Sequence, residues 1–176
     1  MVNQNDLQVA DLSRTELVDM IVSVGQWVGI GLVAVGGLFV VVGFGVVLAH
    51  RRARRQGRPT PRWVLGVVGA TVGTVLSFVP LSPILGGATA SYLDPDRNRG
   101  GLGTGAVAGA VAALPTVILT IAAGIGLFEG LAQAEAMAVL PLVGLIALAT
   151  AAYFVGLHAL GGVIGGWIRD YRDWSR

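Results

Sequence analysis

Four long apolar stretches, separated by short charged segments, make up most of the chain. The stretches cover residues 21–49, 63–93, 101–128 and 138–168. A helix needs about 20 apolar residues to cross the roughly 30 Å hydrocarbon core of a bilayer. The first, third and fourth stretches therefore predict three long transmembrane helices. Residues 21–49 are too long, and follow too acidic a segment, for a cleaved signal peptide.

Two prolines interrupt the second stretch. Pro80 and Pro83 lie near its middle, where each removes a backbone donor and pushes the residue before it away from helical geometry. Either residues 63–93 form one kinked span, or the chain reverses at the prolines and forms a helical hairpin with both ends on one side. The second arm, 83–93, reaches only about 16 Å as a helix. The turn of a hairpin would therefore lie inside the membrane, with its backbone groups buried against other helices.

The arginines decide between these two topologies. All 12 basic residues of the chain are arginine, and arginine marks the cytoplasmic side of membrane proteins. The hairpin places eleven of the 12 on one side, including Arg97, Arg99 and three at the C-terminal end, whereas the kinked span places six there. The distribution therefore predicts the hairpin, with the N-terminus outside the cell and the C-terminus in the cytoplasm.

The composition agrees with a membrane location. The chain is 54% hydrophobic and 12% charged, against about 25% charged residues in soluble domains, and its mean hydropathy is +0.74. We predict an all-α integral membrane bundle of three long transmembrane helices plus a proline-broken helical hairpin, in the cell membrane. Its parts are a polar segment 1–20, a transmembrane helix 21–49, an arginine-rich loop 50–62, a membrane bundle 63–168 and a tail 169–176.

The predicted loop 50–62 is strongly basic. It carries six arginines, which are Arg51, Arg52, Arg54, Arg55, Arg58 and Arg62. Such a cluster beside a membrane helix is typical of a topology determinant that contacts anionic lipid headgroups. A nucleic-acid patch is the alternative, but no aromatic residues alternate with the arginines to stack on bases. We expect lipid, and no nucleic acid, at this segment.

Glycines spaced four residues apart mark two helix faces. They are Gly101, Gly105 and Gly109 in the third apolar stretch, and Gly161, Gly162, Gly165 and Gly166 in the last. Small residues at this spacing let helices approach closely. The faces therefore predict helix contacts, either within the chain, with a second copy or with another membrane protein. Residues 85–94 and 160–169 also form a weak repeat that begins Leu-Gly-Gly and ends aromatic, aliphatic, charged.

Residues suited to chemistry are sparse. Every Asp and Glu lies in a terminal segment or a turn, the chain has no cysteine, and two histidines are too few for a metal site. We expect neither an enzyme nor a cofactor. His158 is the one residue inside a predicted span whose charge changes near neutral pH, which makes it a functional candidate; the alternative is a neutral ring bonded to a backbone carbonyl. Thr71, Thr74 and Ser77 form a polar stripe that either lines a transport path or bonds to its own helix.

Two functions are consistent with these patterns. The favoured one is a structural or accessory membrane protein that packs through its glycine faces, with itself or with an unidentified membrane partner. The alternative is a small transporter or channel whose path passes near Pro80, Pro83 and His158. A membrane enzyme is the poorest interpretation, because no acid–base pair is visible.

The segment SFVPLSPILGG, residues 77–87, carries a family resemblance. Together with Tyr92-Leu93 and the glycine face that begins at Gly101, it resembles an uncharacterised family of small haloarchaeal membrane proteins. The similarity covers roughly residues 63–127 and, more loosely, the last helix, so the N-terminal helix and its arginine loop look like an addition. The resemblance implies an archaeal cell membrane and no known activity, and it supplies no catalytic or binding residues.

Overall fold

The described part of the chain folds into five helices. The computed structural model describes residues 14–96, 100–131 and 133–174. The helices are α1 (Arg14–Arg55), α2 (Arg62–Val75), α3 (Ser82–Tyr92), α4 (Gly101–Gly130) and α5 (Gln133–Trp174). Most of the predicted polar segment 1–20, together with Arg97, Arg99 and Arg176, lies outside the described residues.

Three of these helices are long and apolar enough to cross a membrane. The qualifying spans are Leu17–Arg55, Gly101–Gly130 and Val139–Arg172. The chain is thus a membrane-embedded protein, and the prediction of an all-helical bundle with three long spans is confirmed.

The helix ends differ from the apolar boundaries read from the sequence. α1 continues through the first half of the predicted loop 50–62 to Arg55, and α5 continues through most of the predicted tail to Trp174. Arginine is a good helix former, and basic side chains interact favourably with the negative end of the helix dipole. A change from apolar to basic residues therefore ends the membrane span without ending the helix.

The chain reverses at the two prolines. α2 and α3 run antiparallel and cross closely: a Cβ on Gly69 would lie 2.5 Å from the carbonyl oxygen of Gly86 and 2.7 Å from the Cβ of Ala90. In one continuous helix, Gly69 and Gly86 would be about 25 Å apart. Consecutive tight turns satisfy the backbone of the connection, with Val79 N–H donating to Leu76 O at 2.8 Å. The predicted hairpin is therefore present.

α4 contacts each of the four other described helices, and α5 packs against α3 and α4. α1 lies antiparallel to α4. A Cβ on Gly126 would lie 2.6 Å from the Cα of Val24, and the indole of Trp27 donates to Glu129 at 2.6 Å. The hairpin is shorter than its neighbours, and its tip at Pro80 shares a cavity wall with Thr116, at the middle of α4.

Each of the five described helices has one terminus at the same end of the bundle. We call it the basic end, because it holds the arginines near the end of α1, the start of α2 and the end of α5. Gly45 of α1 packs against Trp63 at the start of α2. The Arg62 guanidinium lies over Gly103 near the start of α4. Arg169 of α5 donates to the carbonyl of Asp94 after α3 at 2.8 Å. The hairpin thus brings the arginine-rich segment and the end of α5 to one end, as its topology requires.

Candidate functional site

The predicted glycine faces contact each other inside the chain. α4 crosses α5 in the antiparallel direction, and a Cβ on Gly105 would lie 2.8 Å from the Cα of Gly162. A Cβ on Gly109 would lie 2.5 Å from the carbonyl oxygen of Phe154. Gly101 meets Gly162 and Gly166 in the same way, the latter at 3.5 Å. The sequence left open whether these faces contact each other, a second copy or another membrane protein. The structure shows that they contact each other.

A second glycine contact joins α3 to α5. The two copies of the weak repeat lie side by side and parallel, so that Gly161 meets the carbonyl of Ile84 and Gly165 meets that of Ala88. Gly87 in turn meets the main chain of His158. The repeat in the sequence therefore reflects two matching surfaces, a pairing that the sequence alone does not predict.

His158 lies where these crossings meet. Its side chain is 1% exposed, and its Nδ1 lies 2.8 Å from the carbonyl oxygen of Phe154. Because a carbonyl can only accept, Nδ1 carries a proton, and Nε2 of the neutral ring presents a lone pair. Nε2 is buried and has no hydrogen-bond partner among the described residues. The predicted bond to a backbone carbonyl is therefore present, and it leaves the other nitrogen free.

Two hairpin glycines make room for the imidazole ring. A Cβ on Gly86 would lie 3.0 Å from His158 Nε2, and one on Gly73 would lie 3.2 Å from it. The two positions belong to opposite arms of the hairpin, so Nε2 faces the α2–α3 crossing. A buried polar atom without a partner is costly. This arrangement therefore marks a place where a ligand's donor would be favourable.

The ring also lines a cavity at the proline break. The cavity has a volume of about 560 Å³. Pro80 and Pro83 form part of its wall, together with Phe39 of α1 and residues from α2, α4 and α5. Its hydroxyl-bearing lining residues are Thr74, Ser77, Ser82, Thr116 and Tyr153. The described side chains that line it include no Asp, Glu, Lys or Arg, and His158 alone among them can become positively charged.

The threonines of the polar stripe bond to their own helix. Thr71 donates to Val67 O at 2.8 Å and Thr74 donates to Ala70 O at 2.9 Å. For these two residues, the interpretation that the stripe bonds to its own helix is therefore correct. Ser77 and Thr74 nevertheless lie in the cavity wall, so the stripe contributes surface there.

A buried polar cluster at the basic end was missed in the sequence. Asp94 and Thr104 are 1% and 0% exposed, and the Thr104 hydroxyl donates to the Asp94 carboxylate at 2.9 Å. Ser91, also buried, donates to the carbonyl of Gly101 at 2.8 Å. Arg169 donates to the backbone carbonyl of Asp94. The cluster joins the end of α3 to the start of α4 and the end of α5.

The arginines of the predicted loop 50–62 lie mostly on the surface. Arg51, Arg52, Arg54, Arg55 and Arg58 are exposed, and Arg62 is half-buried against α4. They lie at the basic end, more than a helix turn from the cavity wall formed by the hairpin tip. Within the described part of the chain, no three His, Asp or Glu side chains come together as metal ligands.

The region that carries this cavity corresponds to a known family. A family model described as a family of unknown function, DUF5518, matches residues 63–168. The chain belongs to this family. No curated protein and no solved structure matches the chain. The family region contains the hairpin, α4 and most of α5, and so includes every cavity-lining residue except Phe39. α1 and the arginine-rich segment lie outside it.

Proposed function

We propose that the protein is a small transporter or channel whose path passes through the cavity at the proline break. The observation that carries this proposal is the buried, unpartnered Nε2 of His158, a residue that lines a cavity between the apolar helices. Ionisable residues inside membranes are costly and commonly functional. Interrupted helices at membrane depth are typical of transporter binding sites, because irregular backbone is tolerated where it lines a cavity.

The structure changes the balance between the two functions that the sequence left open. The packing role rested on the glycine faces of α4 and α5. Because these glycines contact main-chain atoms within the chain, they offer no support for a contact with a second copy or a membrane partner. The cavity and His158 are additional observations that favour the transporter or channel. The proposed role is binding and passage, with no bond-making step.

The first test is passage across a vesicle membrane. The purified full chain in liposomes is expected to speed the entry of at least one of glycerol, urea, ammonium or acetate, followed by light scattering. Replacing His158→Ala is expected to slow that entry about tenfold, because it removes a buried hydrogen-bonding nitrogen. The matched control is His50→Ala, which changes the exposed histidine near the end of α1 and should keep the wild-type rate.

Two results would overturn the proposal. One is that neither these solutes nor a long-chain alcohol crosses the membrane faster than in protein-free vesicles. The other is that the His158→Ala chain, shown to be folded by its gel-filtration profile in detergent, transports as fast as the wild type. Equal losses in the His50 and His158 variants would likewise exclude a specific path at the cavity.

We further propose that the basic end faces the cytoplasm of the cell and contacts anionic lipid headgroups there. The support is the gathering of exposed arginines at one end, opposite Asp19 and Glu129, together with the preference of arginine for the cytoplasmic side. The chain has no cysteine, so single cysteines report each end. Gln56→Cys is expected to react with a membrane-impermeant maleimide only after the cells are opened, and Asp19→Cys before. The reverse pattern would contradict the orientation.

A further inference from the structure

A second, apolar cleft adjoins the cavity of His158. This groove lies between α1, α2 and α4 and has a volume of about 310 Å³. Its walls are almost entirely hydrocarbon, and include Leu38, Val42, Val67, Val75, Val111 and Leu114. Four residues, Phe39, Thr74, Ala112 and Pro115, line both the groove and the cavity. The two spaces are therefore neighbours that share one wall, one space apolar and one with polar groups.

The groove opens sideways towards the surface that the bilayer covers. α1 packs along α4 and approaches α2 near the basic end, where a Cβ on Gly45 would lie 3.5 Å from Trp63. Further along, the two sides of the groove diverge: Phe39 of α1 is 60% exposed and Val75 of α2 is 68% exposed. A Cβ on Gly43, in the groove wall, would meet nothing within 4 Å. Acyl chains of the membrane thus have direct access.

We infer that the site takes a single-chain membrane amphiphile with an uncharged head that donates a hydrogen bond, and that this molecule enters sideways between α1 and α2. Its tail lies in the groove and its head donates to Nε2 of His158. This inference rests on the proposed function and names the substrate class of the same path. It differs from passage of a water-soluble solute, which needs no apolar groove.

Three observations select this ligand chemistry. The groove is at the lower end of the ~300–1,000 Å³ range of small-ligand sites, which is room for one chain. The described cavity lining holds no carboxylate, Lys or Arg, so a charged head would be buried without a counter-charge. Nδ1 of His158 already donates to Phe154, so the neutral ring offers a lone pair at Nε2 and selects a donor.

The test uses a long-chain primary alcohol with a photoactivatable diazirine in its mid-chain. The full chain in liposomes is irradiated with this probe, digested and analysed by mass spectrometry. Labels are expected within residues 38–43, 67–75 and 111–115. The methyl ether of the same alcohol lacks the donor and is expected to label these segments about tenfold less. The ether needs no change in the protein, so its result is independent of folding.

A matched pair of variants tests the groove itself. Gly43→Leu fills the groove from a position where an added Cβ meets no atom within 4 Å, and is expected to reduce labelling at least about fivefold. Gly37→Leu makes the same change on the same helix, also with nothing within 4 Å, but outside the groove. It should label like the wild type.

The outcomes separate this inference from the proposed function. Labelling that is equal for alcohol and ether, or equal for the two leucine variants, would show general contact with the bilayer and overturn the inference. If His158-dependent passage of water-soluble solutes is nevertheless observed, the transporter proposal stands without it. If the groove is labelled selectively while no solute or alcohol crosses the membrane faster, the ligand class stands and the transport role fails.

Discussion

Replacing Gly161 with alanine is expected to destabilise the folded chain by about 3 kcal/mol, at the upper end of what overpacking costs. The added methyl would overlap the carbonyl group of Ile84 on α3. A carbonyl inside a helix cannot rotate away, so α3 and α5 must separate. That separation loosens the neighbouring contact of Gly165 with Ala88 and the contact of Gly87 with His158. In a membrane, close packing of this kind is a main source of helix association.

The measurement is unfolding in mixed micelles by titration with dodecyl sulfate. Gly156→Ala provides the control, because it lies on the same helix, is exposed, and a Cβ there meets nothing within 4 Å. This variant should be unchanged or more stable by up to about 1 kcal/mol, since alanine is the better helix former. Equal effects of the two substitutions would contradict the close α3–α5 crossing.

The second large effect is expected at Arg169. Its replacement by methionine should cost about 3 kcal/mol, because a hydrogen bond to a charged group contributes about 1.5–3 kcal/mol and a buried acceptor is left unpaired. Arg169 is 7% exposed and donates to the carbonyl of Asp94 at the end of α3. There its positive charge also faces the negative end of the helix dipole. The loss therefore weakens the joint between α3 and α5.

Arg172→Met is the matched comparison for Arg169→Met. Arg172 lies about one turn further along α5, is exposed, donates to the hydroxyl of Tyr92, and places its guanidinium 5.0 Å from the ring centre of Tyr92. Exposed contacts of this type contribute about 0.5–1 kcal/mol. The same micelle titration should rank Arg169→Met well below Arg172→Met in stability. A reversed order would show that the buried cluster does not join the helices.

Much of the architecture follows from local patterns. The long spans follow from apolar length, and the reversal follows from Pro80 and Pro83 combined with the arginine distribution, since each depends on residues close together in the chain or on a general rule of membrane insertion. His158 was a candidate for the same reason: an ionisable residue in an apolar stretch is conspicuous. The family match over residues 63–168 agrees with the resemblance in the region around the prolines.

Features that depend on which helices meet could not be predicted. Asp94 looked like part of a polar turn and Arg169 like part of a tail, and only the packing of α3 beside α5 brings them together. The partner of the glycine faces was likewise undetermined, because the same spacing serves contacts within and between chains. The groove depends on how far α1 lies from α2, which no local pattern specifies.

The short hairpin also gives the molecule a different cross-section in the two leaflets of the bilayer. Because its tip lies level with Thr116, a plane near the basic end cuts all five described helices, whereas a plane near the other end cuts α1, α4 and α5. Each helix with its side chains is about 10–12 Å across. The protein therefore displaces more lipid from one leaflet than from the other.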